Sequence, residues 1–279
     1  MSGPVAARLG DRLHLQHGPI DLIIGCDPGA RAAAFAAAMA RFASVLGELV
    51  AERPALRVQG AAVQGPVARR MAAAVAPHRV FVTPMAAVAG AVADEVLAAM
   101  RAAAPVTRAY VNNGGDIALH LGPGHSFRAR IAGLDGADLG LVDVQAGQGI
   151  GGMATSGLGG RSLTMGIAQS VTVLAPCAAT ADAAATLIAN AVDVPGHPGI
   201  VRQRACDVVP DSDLGQHLVT RFVGGLTGAE VALALSGGAA EARRMQAAGV
   251  IHAAILCLRD RVEVAGHPAY FLERSAAHA

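Results

Sequence analysis

The chain has 279 residues, of which 53% are hydrophobic and 15% charged, enough apolar side chain for a large core and too little charge for a disordered tail. Its 22 basic and 21 acidic residues leave a formal charge of +1, with no Trp and 3% aromatics. A phosphate backbone would meet neither a basic field nor stacking platforms, so nucleic acid is not an expected partner. All the basic residues are arginine, which removes Schiff-base, Walker-lysine and pyridoxal-anchoring chemistry.

Arg12–Gln16 and Ile20–Cys26 read as an opening hairpin around His17-Gly18-Pro19. Asp27-Pro28 predicts a helix start with Asp as N-cap, and the spacing of Phe35, Met39, Phe42 and Leu46 carries that helix to about Glu52. Residues 53–78 read as a packed connection around one short helix. A second helix is predicted over Met85–Met100, with Asp94 and Glu95 on its polar side. Strands follow at Arg108–Asn112, Ile117–Leu121, Phe127–Ile131, Leu139–Val144 and Ser170–Leu174, and helices at Ala181–Val192 and Glu241–Ala248. Val250–Leu258 and Arg261–Val264 form a late hairpin, while Gly224–Gly228 and Ser236–Gly238 read as turns. The expected fold is α+β, mainly antiparallel sheets packed with helices, in a single domain over 1–279 with a weak subdivision near 190–230.

The N-terminus lacks the apolar stretch of a signal peptide, and the uncharged run Ser162–Ala181 contains Gln169 and Pro176, so no membrane association is expected and the location is read as cytoplasmic. Cys26, Cys177, Cys206 and Cys257 are scattered and read as reduced thiols rather than zinc ligands. His14 and His17 fall on opposite sides of a strand and are poor joint ligands. The sequence assigns no oligomeric state.

Four features compete as sites. Gly147-Gln-Gly-Ile-Gly-Gly152 has G-x-G-x-x-G spacing, but the glycines after it cannot propagate the helix a dinucleotide needs. It reads as a mobile loop. Asn112-Asn113-Gly114-Gly115-Asp116 is either a tight Asn-Gly turn or a turn whose second glycine and flanking polar groups admit a ligand. Thr155-Ser156-Gly157 with Arg161 is either a phosphate-holding set or a polar surface loop. Asp182 and Thr186, four apart on a predicted helix, could reach one hard cation, although Asp in a first helical turn is favoured by the helix dipole alone.

Taken in order, four segments resemble the ApbE family of FAD:protein FMN transferases, and more closely its ApbE-like branch. These are Pro84-Met-Ala-Ala-Val-Ala-Gly90-Ala-Val-Ala-Asp94, Val111-Asn-Asn-Gly-Gly-Asp-Ile117, Ala154-Thr-Ser-Gly157 with Arg161, and Ala181-Asp182-Ala-Ala-Ala-Thr186. The resemblance implies an α+β fold holding FAD or a related nucleotide diphosphate in a cleft. Asn112, Asn113, Gly114, Gly115, Asp116, Thr155, Ser156, Gly157 and Arg161 would contact that ligand. Mg²⁺ would be held by Asp182, Thr186 and a backbone carbonyl near Val88. It further implies phosphoryl transfer, in which a threonine hydroxyl of an acceptor protein attacks and FMN is left attached by a phosphoester. No residue receives a catalytic role. The chain departs from the family pattern at Ala89, where the family has lysine, and lacks both the N-terminal Gly-Gly substrate segment and the His-x-x-Asp-Pro run. Two further readings therefore stand beside the transferase. One is a flavin or nucleotide carrier without turnover. The other is an ApbE-like scaffold serving sulfur or one-carbon metabolism with an electron-transfer partner, using a thiol of Cys206 or Cys177. With few aromatics, a flavin ring would rest on Met85 or Met153.

Overall fold

The computed structural model describes residues 3–132, 138–267 and 270–272; the rest of the 1–279 domain expectation, including 273–279, lies outside the described residues. In chain order the elements are β1 (Val5–Leu9), β2 (Arg12–His17), β3 (Ile20–Cys26), α1 (Arg31–Leu56), α2 (Pro66–Val75), a 3-10 turn (Pro84–Ala87) and α3 (Val88–Ala103). Then come β4 (Arg108–Asn113), β5 (Asp116–Leu121), β6 (Ser126–Ala132), β7 (Asp138–Gln145), β8 (Gly152–Ser156), β9 (Ser170–Ala175) and α4 (Ala178–Ala191). The chain closes with β10 (Ile200–Arg204), α5 (Ala205–Val208), β11 (Leu218–Val223), α6 (Gly228–Ala247), β12 (Ala253–Leu258), β13 (Arg261–Gly266) and β14 (Phe271–Leu272).

The chain divides into two compact units. The first is Met1–Ser126, Gln145–Ala154 and Ala175–Ala183; the second is Phe127–Val144, Thr155–Leu174 and Ala184–Ala279. No boundary lies within 190–230.

In the first unit the strand order is β1-β2-β3-β4-β5-β8, and every neighbouring pair is antiparallel. Alternation drives this sheet: Leu13, Leu15, Leu22 and Ile24 are buried on one face while Arg12 and Asp21 are exposed. Helices α1 and α3 cover it, α1 touching β2 and β3, and α3 touching β4 and β5. Phe35 and Phe42 anchor α1 at 1% exposure each, a burial worth roughly 1.5 to 3 kcal/mol per side chain. By length and composition α1 is apolar enough to cross a membrane, yet its Phe35 face is packed in this unit. Its Arg41 binds Glu48 and Glu95, and Arg70 of α2 binds the other Glu95 oxygen at 2.8 Å. Burial works against the Glu95 carboxylate, but the two guanidiniums together hold it below its usual range.

Asp27 is not the cap of α1. The helix begins at Arg31 behind Ala30, without a side-chain cap, while Asp27 accepts the amides of Thr107 and Arg108 at 3.0 and 2.8 Å. It ties the end of β3 to the start of β4. The helix also runs past Glu52 through Pro54 and ends at Leu56, so the hydrogen bond and the carbonyl clearance that proline costs fall in its last turn.

In the second unit β12 pairs with β9 and β13, β7 with β14, and β10 with β11, all antiparallel, and α6 packs on β12 and β13. The α+β expectation of antiparallel sheets with helices holds. The turn expected at Ser236–Gly238 does not. It lies inside α6, where a Cβ on Gly237 would stand 2.7 Å from the Ala191 carbonyl and one on Gly238 would stand 2.4 Å from Val192. The glycines serve close packing rather than chain reversal. Helix α6 also starts well before Glu241, at Gly228, behind a Thr227–Glu230 capping box.

Candidate functional site

The site is best built from two helix starts in the first unit. The amides that open an α-helix have no intrahelical acceptor, and neither α3 nor α4 supplies its own. Asp182, in the second turn of α4, accepts the Gly90 amide of α3 at 3.0 Å and also the Ala89 amide. Asp94 of α3 returns the arrangement, its two oxygens accepting the Ala178 and Ala179 amides at 3.0 and 2.9 Å. The two helices thus exchange carboxylate caps. Gly90 makes the approach feasible, since a Cβ there would meet the Ala178 carbonyl oxygen at 2.3 Å. Gly152 does the same from β8, its absent Cβ lying 2.1 Å from the Ala178 amide nitrogen.

The β4–β5 hairpin supplies the third carboxylate. Its two-residue loop is Gly114-Gly115, with φ of 65° and 115°, and Asn113 pairs with Asp116 in register. The loop is therefore one residue later than the Asn-Gly turn read from sequence. The Gly115 amide, expected to be open to a ligand, donates to Asn112 Oδ1 at 2.8 Å. Asn113, 4% exposed, donates through Nδ2 to the Ala89 carbonyl at 3.1 Å. Asp116 lies close enough to Asp182 for their charges to repel. Burial first, and Asp116 second, push the Asp182 carboxyl well above its ordinary range, against the pull of the Gly90 and Ala89 amides.

Val88, Asn112, Asn113, Gly114, Gly115, Asp116 and Asp182 thus all belong to the first unit, and hydrogen bonds or charge link the hairpin, the start of α3 and Asp182. Thr155, Ser156, Gly157, Arg161 and Thr186 belong to the second. There Thr155 Oγ1 shares a 2.8 Å hydrogen bond with Thr172 Oγ1, and Ser156 is half-buried. Gly157 is buried with φ of 137°, a Cβ on it falling 2.7 Å from the Gln169 carbonyl. The amides of Leu158, Gly159 and Gly160 are donated to carbonyls of Ala168, Gln169 and Gly157, so this stretch is bonded, not open. Arg161 is exposed, and Thr186 is half-buried one turn after Asp182 on α4. Of the two methionines expected under a flavin ring, Met153 is 5% exposed in β8, in register with Ile117, and Met85 is half-buried.

For a divalent cation, the Asp116–Asp182 pair offers hard oxygen donors of the kind Mg²⁺ prefers, and a cation would relieve the repulsion between them. Among the described residues no group of three or more His, Cys, Asp or Glu is spaced to hold a metal, so any further donors would come from the main chain or hydroxyls. Two features escaped the sequence reading. Asp94, assigned to a polar helix face, is a half-buried cap; Gly151 and Gly152, assigned to a mobile loop, are packed against Pro176 and Ala178. Neither has a local signal, because each partner is distant in the chain.

Solved structures of ApbE proteins are similar at low identity. The Pseudomonas stutzeri flavinyl transferase ApbE in its apo form is 17% identical, with a TM-score of 0.37 over 65% of this chain and 50% of its own. The Vibrio cholerae flavin transferase ApbE is 15% identical, with a TM-score of 0.39 over 89% and 79%. The Thermotoga maritima ApbE protein is 14% identical, with a TM-score of 0.40 over 85% and 74%. The chain thus spans half the length of the Pseudomonas stutzeri protein. The UPF0280 protein of Methanopyrus kandleri is 34% identical over 200 residues, covering 68% of this chain and 78% of that protein. The family described as AbpE bacteria matches residues 5–264, and the chain belongs to this ApbE-like family.

Proposed function

We propose that this chain binds a flavin or related nucleotide diphosphate together with Mg²⁺, using Asp116 and Asp182 as the anionic donors and Thr186 and the main chain near Val88 as neutral ones. One observation carries the reading: two carboxylates repel each other beside the first turn of α3, and Asp182 is desolvated there. Such a pair stores unfavourable charge that a divalent cation would neutralise. Mg²⁺, when bound, would supply charge neutralisation of the diphosphate. The chain's own part is to hold Asp182 in place through the Gly90 and Ala89 amides and to fix the hairpin through Asn113.

Within this reading, FMN transfer to an acceptor protein is the activity the family resemblance implies, with FAD as donor. Ala89 in place of the family lysine, and the missing His-x-x-Asp-Pro run, favour a carrier that binds without turnover. The test is a fluorescence titration with FAD, with and without Mg²⁺. Affinity should rise with Mg²⁺, and Asp116→Asn and Asp182→Asn should each remove about tenfold of it, roughly 1.4 kcal/mol. FAD affinity that ignores both the metal and these substitutions would overturn the proposal. Incubating the Mg²⁺-loaded protein with FAD and an acceptor protein that offers a threonine hydroxyl, and following AMP release together with FMN attached to that acceptor, separates transferase from carrier.

A further inference from the structure

Apart from the carboxylate pair, the first unit contains a cleft of 610 Å³, lined among others by Arg70, Arg101 and His120 and floored by the glycine-bearing segment Gln145–Gly151. Nothing in the flavin-diphosphate reading uses it. Arg101, in the last turn of α3, is exposed and makes no ion pair among the described residues. His120 of β5 is half-buried nearby. Burial and then the Arg101 charge press its ring toward the neutral form, while Asp27 and a hydrogen bond to Val106 pull the other way. Arg70 adds a second guanidinium, held through Nε by Glu95. The one carboxylate in the lining, Asp94, has both oxygens turned to the Ala178 and Ala179 amides. Cys177 is held as a thiol, pushed up by burial and by Asp94. Leu97, Leu119, Leu121 and Ile150 form an apolar wall. Gly147 and Gly149, at φ of 86° and 75°, line the cleft without side chains of their own.

We propose that this cleft binds a small organic anion, its phosphate or carboxylate head between Arg101 and His120 and its carbon part against Leu97 and Ile150. An anion there satisfies an unpaired guanidinium with a charge-assisted hydrogen bond and gives the His120 ring an acidic partner beside Arg101. Phenyl phosphate and benzoate distinguish the two head groups. Each is titrated by calorimetry at low ionic strength, with the His120 ring followed by NMR and chloride as the control anion. The expected result is saturable binding of at least one probe, with movement of the His120 signals toward the protonated ring. Arg101→Ala should weaken that binding about tenfold, His120→Gln should weaken it less, and Arg101→Lys should restore part. Adding or withholding Mg²⁺ should leave it unchanged, so the proposal stands or falls separately from the Mg²⁺ reading. Binding no stronger than chloride's, or equal binding by wild type and both Arg101→Ala and His120→Gln, would overturn it.

Discussion

Helix α6 and the pair α3/α4 solve one problem in opposite ways. Each must satisfy the orphan amides of its first turn. Helix α6 does so locally, with the Thr227 hydroxyl accepting the Glu230 amide at 3.3 Å and Glu230 Oε2 accepting the Thr227 amide at 2.7 Å. Helices α3 and α4 do so from a distance, with carboxylates 92 and 84 residues away in the chain. The local cap costs little to form and adds little beyond its own helix. The exchanged caps make each helix start conditional on the other, and they bring the half-buried Asp182 within reach of Asp116. A fold that needs only a helix can use the first device; one that must concentrate negative charge at a defined place needs the second.

The sharpest way to break the exchanged pair is to separate the helices. Gly90→Ala places a Cβ 2.3 Å from a backbone oxygen that cannot swing away, and should cost about 3 kcal/mol or more in urea denaturation. Gly47→Ala on α1 is the matched control: a Cβ there meets nothing within 4 Å, so stability should rise by about 0.5 to 1 kcal/mol. Next in size, Asp94→Ala orphans two amides at once and should cost about 2 to 4 kcal/mol. Thr227→Ala, which removes the local cap, should cost about 1 kcal/mol. Similar losses for these two substitutions would mean the long-range cap holds only its own helix.

The smallest expected effect is in pH dependence, and its sign differs between the two devices. Burial keeps the Asp94 carboxyl above its ordinary value of 3.8, so the folded chain holds that proton longer than the unfolded one. Stability is therefore lost as pH rises from 3.8 through the raised folded value. Glu230 is the reverse. The Thr227 amide and hydroxyl hold its carboxylate below the ordinary 4.5. Its contribution is present above 4.5 and is lost as pH falls through the lowered folded value. Across an acid denaturation series, Asp94→Asn should flatten the profile on the upper side and Glu230→Gln on the lower. Parallel shifts of the whole curve by both would contradict this assignment.

Much of the fold is legible along the chain. The β2–β3 hairpin, the β4–β5 pair and the β12–β13 hairpin follow from alternation and turn residues, whose partners are near neighbours. The Thr227-x-x-Glu230 box is equally local, its two residues three apart in the chain, whereas the Ser236–Gly238 glycines point the wrong way. Those glycines read as a turn because glycine costs a helix stability, and they sit inside α6 because two other segments press against them. Asp27 looked like a cap because Asp-Pro is a sound local signal, but the β4 amides held it more firmly.

Composition, periodicity and short-range pairing are properties of neighbouring residues, so the amino-acid order alone settled the α+β class, most strands and the segments that mark the family. Which carboxylate meets which amide was decided only when remote stretches came together, because neither a hydrogen bond across 92 residues nor the close fit of Gly90 on Ala178 has a counterpart in local spacing. Asp182 could be singled out from its place beside Thr186; that it faces Gly90 and Asp116, and that Asp94 answers it, belongs to the folded chain.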